Sequence, residues 1–424
     1  MNVHSSSSGF RRAAAQRAFR RYSGVLWTKL PARPFEPIIQ RVDKGLLHGS
    51  LELHMPDGAV RMLGGRAQGF TAIVHLESFR ALVRLATGGS VGWFRAWEAG
   101  EWSSPDPVTL FALFMANARS LGATARPRGF TRLLGRLRHA LRRNSRKGAR
   151  RNIADHYDLG NDFYTLWLDE TLTYSAARPA SPGEPLADAQ RRKIDELLDR
   201  LNLRDGDQLL EIGCGWGSLA HQSLGRGNID YTGLTLSHEQ RAEVMALPSI
   251  IKAGDHAKIL LQDYRDTTGS YDAIASVEMV EAVGQAYWPD YLATMYRLLK
   301  PGGRAAIQFI TIDDAIFPAY ARGADFIQRY IFPGGCLISE RRFRALAEAQ
   351  GLIWADQTRF GLDYAWTLRQ WRERFDAVVD AGLLPRRFDV HFVDMWRYYL
   401  MYCEGGFAGR GIDVAQVTLV KPAG

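Results

Sequence analysis

Leu210-Glu211-Ile212-Gly213-Cys214-Gly215-Trp216-Gly217 is the stretch on which the fold turns. The apolar run Gln208–Gly213 reads as a strand, which breaks into a glycine-rich turn and then a helix. Glycines at alternate positions let the main chain turn sharply and come close to a ligand. The helix start beyond them offers free N–H groups to an anion. The spacing is not that of the dinucleotide fingerprint, whose third glycine stands one place later.

Outward from this turn, strands and helices alternate. A helix over Leu186–Asn202 precedes it. A strand at Tyr231–Leu236, a helix from Ser237, and strands at Ile259–Gln262 and Ala273–Val277 follow. The helix Tyr287–Leu299 ends at Lys300-Pro301-Gly302-Gly303, a stop signal, and Arg304–Ile312 is a strand. The run Ile412–Lys421 completes the set. Alternation of this kind predicts an α/β, doubly wound, mostly parallel sheet. The chain is long enough, at 424 residues, for more than one domain. We expect a basic tail over 1–35, an α+β accessory domain over 36–125, a basic amphipathic linker over 126–155 and the sheet domain over 156–424. In the accessory domain, Leu46–His54 and Thr71–Leu76 read as strands, with a turn at Pro56-Asp57-Gly58. Ser78–Thr87 and Val108–Ser120 read as helices.

Charge is distributed unevenly. Residues 1–35 hold seven bases and residues 126–151 hold eleven, with no acid in either. The chain's 54 bases less these 18 face 45 acids, so the remainder is net acidic by nine. An acidic body with two cationic segments points to a polyanionic surface as partner. In the second segment Phe130, Leu133, Leu134, Leu137 and Leu141 recur at helical spacing, as in a helix lying on a membrane. The longest apolar run, Val108–Ala116, is about half of the ~20 residues that a spanning helix needs. No secretory h-region is expected at the N-terminus. Cys214, Cys336 and Cys403 are too few and too scattered for a disulfide framework or a metal site. They suit a reduced, cytoplasmic protein, peripheral on the inner face of the membrane.

The Glu-x-Gly-x-Gly-x-Gly form resembles motif I of S-adenosylmethionine-dependent methyltransferases. After the second strand, Gly233-Leu234-Thr235-Leu236-Ser237 is followed by Gln240, so Thr235 and Gln240 are neutral groups able to hydrogen-bond ribose hydroxyls. From about residue 150 to the end, the chain resembles the cyclopropane-fatty-acyl-phospholipid synthases, which include the mycolic acid cyclopropane synthases. The matching stretches are His156–Phe163, Tyr174-Ser175, the glycine loop, Gly233–Ser237, Val280–Gly284, Leu299–Gly303, Tyr330–Gly335 and Phe360–Tyr364. The resemblance implies a class-I methyltransferase fold and S-adenosylmethionine as cofactor. Tyr174 and Ser175 would contact it, Gly213, Gly215 and Gly217 would pass its methionyl end, Thr235 and Gln240 would hold the ribose, and Asp263 and Tyr264 would flank the adenine.

In that family an enclosed bicarbonate acts as base, held by a Glu, a His, a Tyr and nearby main chain. The resemblance assigns Glu281 and Tyr364 to the Glu and Tyr, Ile310 to a main-chain contact, and position 176 to another. Two residues depart from the pattern: Ala176 stands where Cys is usual, and Gln308 stands where the His is expected. An amide can donate a hydrogen bond but carries neither proton nor charge. Glu278 is a weaker candidate for the same region. The implied activity is alkylation of the double bond of unsaturated acyl chains in membrane phospholipids, with cyclopropane formation leading and methyl or methylene branching second. Anionic phospholipid would be the partner surface, and a homo-oligomer is compatible. A nucleic-acid methyltransferase is disfavoured, for the chain has no Asp/Asn-Pro-Pro-Tyr motif for a flipped base. A lipid-binding protein without activity would not bind the cofactor at all.

Overall fold

The computed structural model describes residues 33–122 and 159–424. The basic segments expected over 1–35 and 126–155 lie almost wholly outside the described residues, as does His156–Asp158. By its internal contacts the chain forms two compact units. One takes Met1–His139, Pro318–Ile331 and Trp371–Gly411; the other takes Ala140–Phe317, Phe332–Gln370 and Ile412–Gly424. The division therefore differs from a single cut near residue 156. Two later segments join the N-terminal part.

The first unit opens with helix α1 (Glu36–Gly45), started by Pro37 in its first turn. Strands β1 (Ser50–His54), β2 (Val60–Gly64), β3 (Thr71–Leu76) and β4 (Trp102–Ser103) form a sheet of order β2-β1-β3-β4. β1 and β2 are the arms of a hairpin across the expected Asp57-Gly58 turn. β3 buries every second residue, as its alternating sequence predicts. Helix α2 (Arg80–Glu98) does not stop near Thr87; it kinks at Gly89, whose φ is 58°, and continues. Helix α3 (Pro107–Ala116) is capped by the Asp106 side chain.

In the second unit, strands β5 (Gln208–Ile212), β6 (Asp230–Thr235), β7 (Ala257–Leu261), β8 (Tyr271–Val277), β9 (Leu299–Ile312), β10 (Ile353–Arg359) and β11 (Ile412–Val420) make one sheet of order β10-β11-β9-β8-β5-β6-β7. β5 to β9 run parallel, and β11 runs antiparallel between β9 and β10. β5 is buried along Leu209–Ile212, as a strand covered on both faces must be. Helices α4 (Leu186–Asp199), α5 (Ser218–Leu224), α6 (His238–Ala246), α7 (Trp288–Leu298) and α8 (Glu340–Ala349) are the connections. Lys300–Gly303 ends α7 as expected but lies within β9, where the register against β8 slips between Tyr271 and Ala273. Neighbouring strand order reverses at β5 and β8, so their carboxyl ends frame the crevice where open α/β sheets bind ligands.

Two long helices went unrecognised in the sequence: α9 (Gly361–Asp380) and α10 (Val390–Ala408). α9 starts in the sheet unit and ends in the first unit. α10 packs on α3 through glycines; a Cβ at Gly405 would meet Phe111 Cβ at 2.5 Å. Tyr398 on α10 meets Phe94, Phe111 and Phe326 edge-on, so the aromatic run there includes core of the first unit.

Candidate functional site

The glycine loop leaves β5 and is tied to β6: the Gly213 and Cys214 N–H groups both donate to the Leu234 carbonyl, at 3.0 and 2.8 Å. Gly213, Gly215 and Gly217 all have positive φ, at 87°, 52° and 88°. A Cβ at Gly217 would strike Leu247 at 2.6 Å, so that glycine serves packing. A Cβ at Gly215 would meet nothing within 4 Å, so that glycine faces open space. An open main-chain cradle at the head of α5 fits the methionyl end of S-adenosylmethionine.

At the end of β6, the Thr235 hydroxyl donates to Gln240 Oε1 at 2.9 Å, and both residues are buried. The Ser237 side chain caps α6 by accepting from the Gln240 N–H at 3.2 Å. Past β7, Asp263 is buried and held by Arg265 through Nε at 2.8 Å, a second guanidinium N–H at 2.6 Å and the main-chain N–H at 3.0 Å. The Tyr264 ring lies edge-on to Tyr291. Tyr174 sits in an aromatic cluster with Tyr164 and Trp167, and Tyr164 reaches Trp216 of the glycine loop. The Ser175 hydroxyl accepts from Lys193 Nζ at 2.6 Å. Burial pulls Lys193 down to about 8, against the charges of Glu278, Asp169 and Glu211. Motif-I Glu211 accepts from the Tyr231 hydroxyl, and burial pushes it up to about 8.

The catalytic candidates gather at the ends of β8 and β9, though not around the residue expected. Glu278, just beyond β8, accepts from the Ala176 N–H at 2.9 Å and from Gln308 Nε2 at 2.7 Å on Oε1. It accepts from the Tyr364 hydroxyl at 2.7 Å on Oε2. The register places Gln308 beside Val277, and the Glu278 N–H donates to the Gln308 carbonyl at 2.8 Å. Glu278 holds φ at 48°, a left-handed conformation that costs a non-glycine residue about 1–2 kcal/mol. Strain of this sort is tolerated where the surroundings over-determine the residue, and it concentrates at functional positions.

Glu281, in the turn Val280–Ala282, accepts from the Ile310 N–H. Its main-chain carbonyl takes the Cys336 N–H at 2.9 Å, and its Oε2 is buried without a hydrogen-bond partner among the described residues. Glu281, Gln308 and Tyr364 were expected to share one anion; among the chain's own groups they do not meet at one partner. Gln308 and Tyr364 converge on Glu278, and Glu281 takes only Ile310. The cause is local: the turn after β8 aims Glu278 at the centre. Burial, then the charge of Glu278, pushes Glu281 up to about 8, so it keeps its proton at neutral pH. Burial also raises Glu278, opposed by the Ala176 N–H, the Tyr364 hydroxyl, the Lys193 charge and the Gln308 amide. The donors expected to hold a bicarbonate are thus engaged by the chain's own carboxylates.

Gln416 on β11 went unnoticed in the sequence. Its Nε2 donates to Gln308 Oε1 at 3.1 Å and to the Lys193 carbonyl at 3.0 Å, while Arg200 Nε donates to its Oε1 at 3.3 Å. Occupying Gln308 Oε1 turns the Gln308 NH2 towards Glu278. A glutamine inside the apolar run of β11 was the available signal, since a buried polar residue is the informative exception. Among the described residues no group of His, Cys, Asp and Glu could hold a metal ion, and no helix is long and apolar enough to cross a membrane.

The family model described as mycolic acid cyclopropane synthetase matches residues 144–417. Tuberculostearic acid methyltransferase UfaA1 of Mycobacterium tuberculosis is 40% identical over 350 residues, 80% of each chain. Cyclopropane-fatty-acyl-phospholipid synthase of Escherichia coli is 36% identical over 270 residues, covering 63% of this chain and 67% of the other. Among solved structures, mycolic acid cyclopropane synthase CmaA1 complexed with SAH and CTAB superposes with a TM-score of 0.60. It is 30% identical and covers 64% of this chain and 98% of that one. The sheet has the class-I methyltransferase architecture, and the chain belongs to the mycolic acid cyclopropane synthetase family of S-adenosylmethionine-dependent methyltransferases.

Proposed function

We propose that this protein methylates the double bond of unsaturated acyl chains in membrane phospholipids and releases a methylene-branched chain rather than a ring. The observation that carries the reading is the partly buried carboxylate cluster of Glu278 and Glu281 at the carboxyl ends of β8 and β9, in the sheet unit that holds the open Gly215 cradle. Methylation of an alcohol or amine leaves a proton that water can take. Methylation of an alkene leaves a carbocation, which needs an enclosed base and exclusion of water. S-adenosylmethionine supplies an electrophilic methyl when bound. This chain's part is to orient the alkene, to exclude water and to take up one proton.

Branching is preferred to ring closure on two counts. Gln308 and Glu278 depart from the bicarbonate-type arrangement that the resemblance implies. The relative matched over 80% of both chains is named a methyltransferase, whereas the cyclopropane synthase of Escherichia coli matches over a shorter span. The eleven bases of residues 126–151 suit docking on anionic phospholipid at ~1 kcal/mol each, and reversing five to Glu should abolish sedimentation with anionic vesicles while leaving cofactor affinity unchanged. The activity itself is tested by lipid mass spectrometry of a host with and without the expressed chain. A gain of about 14 mass units on unsaturated acyl chains is expected, with a vinylic methylene by NMR. Unaltered lipids would overturn the reading, and an upfield ring methylene would restore cyclopropanation.

A further inference from the structure

We propose that the Glu278 carboxylate is itself the general base, standing where the family resemblance implies a bicarbonate. The inference rests on the function proposed above and assigns its proton acceptor.

Four main-chain and side-chain donors were expected to cradle an anion: position 176, Gln308, Tyr364 and Ile310. Three of them point at one carboxylate. Ala176 N–H and Gln308 Nε2 meet Glu278 Oε1 at 2.9 and 2.7 Å, and the Tyr364 hydroxyl meets Oε2 at 2.7 Å. Ile310 is taken by Glu281. A bicarbonate and a glutamate side chain present the same planar pair of oxygens, so one donor set serves either. A carboxylate has about four lone-pair sites, and three are used. The fourth, on Oε2, is left to accept a proton.

The main chain at 278 supports the same assignment. Its φ of 48° is a conformation that glycine adopts freely and glutamate does not. A side chain held in that strained turn, partly buried and bonded to three donors, is placed there by its surroundings. Gln416 fixes the Gln308 amide by occupying its oxygen, so the donor towards Glu278 cannot flip away. Buried Lys193 adds positive charge nearby.

The step balances as follows. The alkene π pair forms a bond to the sulfonium methyl, and the carbon–sulfur pair stays on sulfur. The carbocation moves by one carbon through a 1,2-hydride shift. Glu278 Oε2 takes a proton from the new methyl, and that carbon–hydrogen pair becomes the carbon–carbon double bond. The proton then leaves Glu278 for solvent.

The test compares wild type, Glu278→Gln and Glu278→Gly on vesicles of unsaturated phospholipid, in buffer freed of carbon dioxide and in buffer with added bicarbonate. Wild-type turnover should be the same in both, and wild type should show no saturable binding of 13C-bicarbonate by NMR, a readout that needs no lipid substrate. Glu278→Gln should lose about a hundredfold or more in turnover with cofactor affinity unchanged, the range of a general base. Glu278→Gly relieves the turn, opens the anion site and should regain activity with bicarbonate. A bicarbonate requirement or saturable bicarbonate binding in wild type would overturn the assignment. Undiminished turnover in Glu278→Gln, or a folded Glu278→Gly that bicarbonate cannot restore, would do the same. Wild type that transfers no methyl to any unsaturated lipid would instead defeat the proposed function, and the binding measurement would still decide whether Glu278 fills the anion site.

Discussion

The two ends of the site are built by opposite means. The glycine cradle is made of main chain and missing side chains: three positive-φ glycines within five residues, open at Gly215. The carboxylate cluster is made of side chains bonded to one another, with Gln308 buried, Glu278 and Glu281 partly buried, and nearly every polar atom engaged. The difference teaches that binding and chemistry are separable here. Damage to the cradle should cost affinity for the cofactor, and damage to Glu278 or its donors should cost turnover and leave that affinity unchanged.

The largest effect is expected at the cradle. Gly215→Val must hold φ near 52° at about 1–2 kcal/mol and fill the open side. Calorimetry should find cofactor binding weaker by about a hundredfold or more. Normal binding by a folded variant would mean that the cofactor lies elsewhere. Next comes the donor to Glu278. Gln308→Leu removes a hydrogen bond to a charged group, worth about 1.5–3 kcal/mol, so turnover should fall roughly ten- to a hundredfold. Cofactor affinity should not move; a parallel loss of affinity would break the separation of the two ends.

The cradle was readable because it is local. Gly213, Gly215 and Gly217 stand in one short stretch after an apolar run, and the same physics that needs them fixes their spacing. The sheet was readable for the same reason, with β5, β6, β8 and β11 close to their expected bounds. The cluster was not, because Ala176, Glu278, Gln308, Tyr364 and Gln416 are scattered over some 240 residues of the chain. The register of β8 on β9 and of β9 on β11 brings Glu278, Gln308 and Gln416 together, and Ala176 and Tyr364 join them from a loop and from α9. The resemblance named Glu281, Gln308 and Tyr364, but which glutamate receives the donors depends on the turn at residue 278. A positive φ at a glutamate leaves no mark in a sequence. α9 and α10 were missed because their polar and apolar residues do not sort cleanly onto two faces. Gly405 inside α10 and Gly409 just past its end also read as breakers, whereas the structure uses them for close packing on α3.

The smallest effect on rate is expected at Glu281, and it sharpens the contrast between the two glutamates. Its folded value of about 8 lies above the ordinary 4.5. At neutral pH it is already a neutral group, and Glu281→Gln keeps an acceptor for the Ile310 N–H. Turnover should stay within about threefold of wild type. Stability should respond instead. Between pH 4.5 and 8 the folded protein retains a proton that the unfolded chain releases, so wild type loses stability as pH rises through that window. The variant has no such loss, so its Tm advantage should grow from pH 5 to pH 8. A Tm difference that is flat with pH would contradict the burial of a protonated Glu281.

Turnover with S-adenosylmethionine carrying a trideuterated methyl tests the central claim most directly. If a fixed carboxylate takes its proton from the transferred methyl after a hydride shift, deuterium NMR of the product lipid will show two deuterons on one vinylic carbon. Two deuterons on an upfield ring carbon, or three on an intact methyl, would contradict the account.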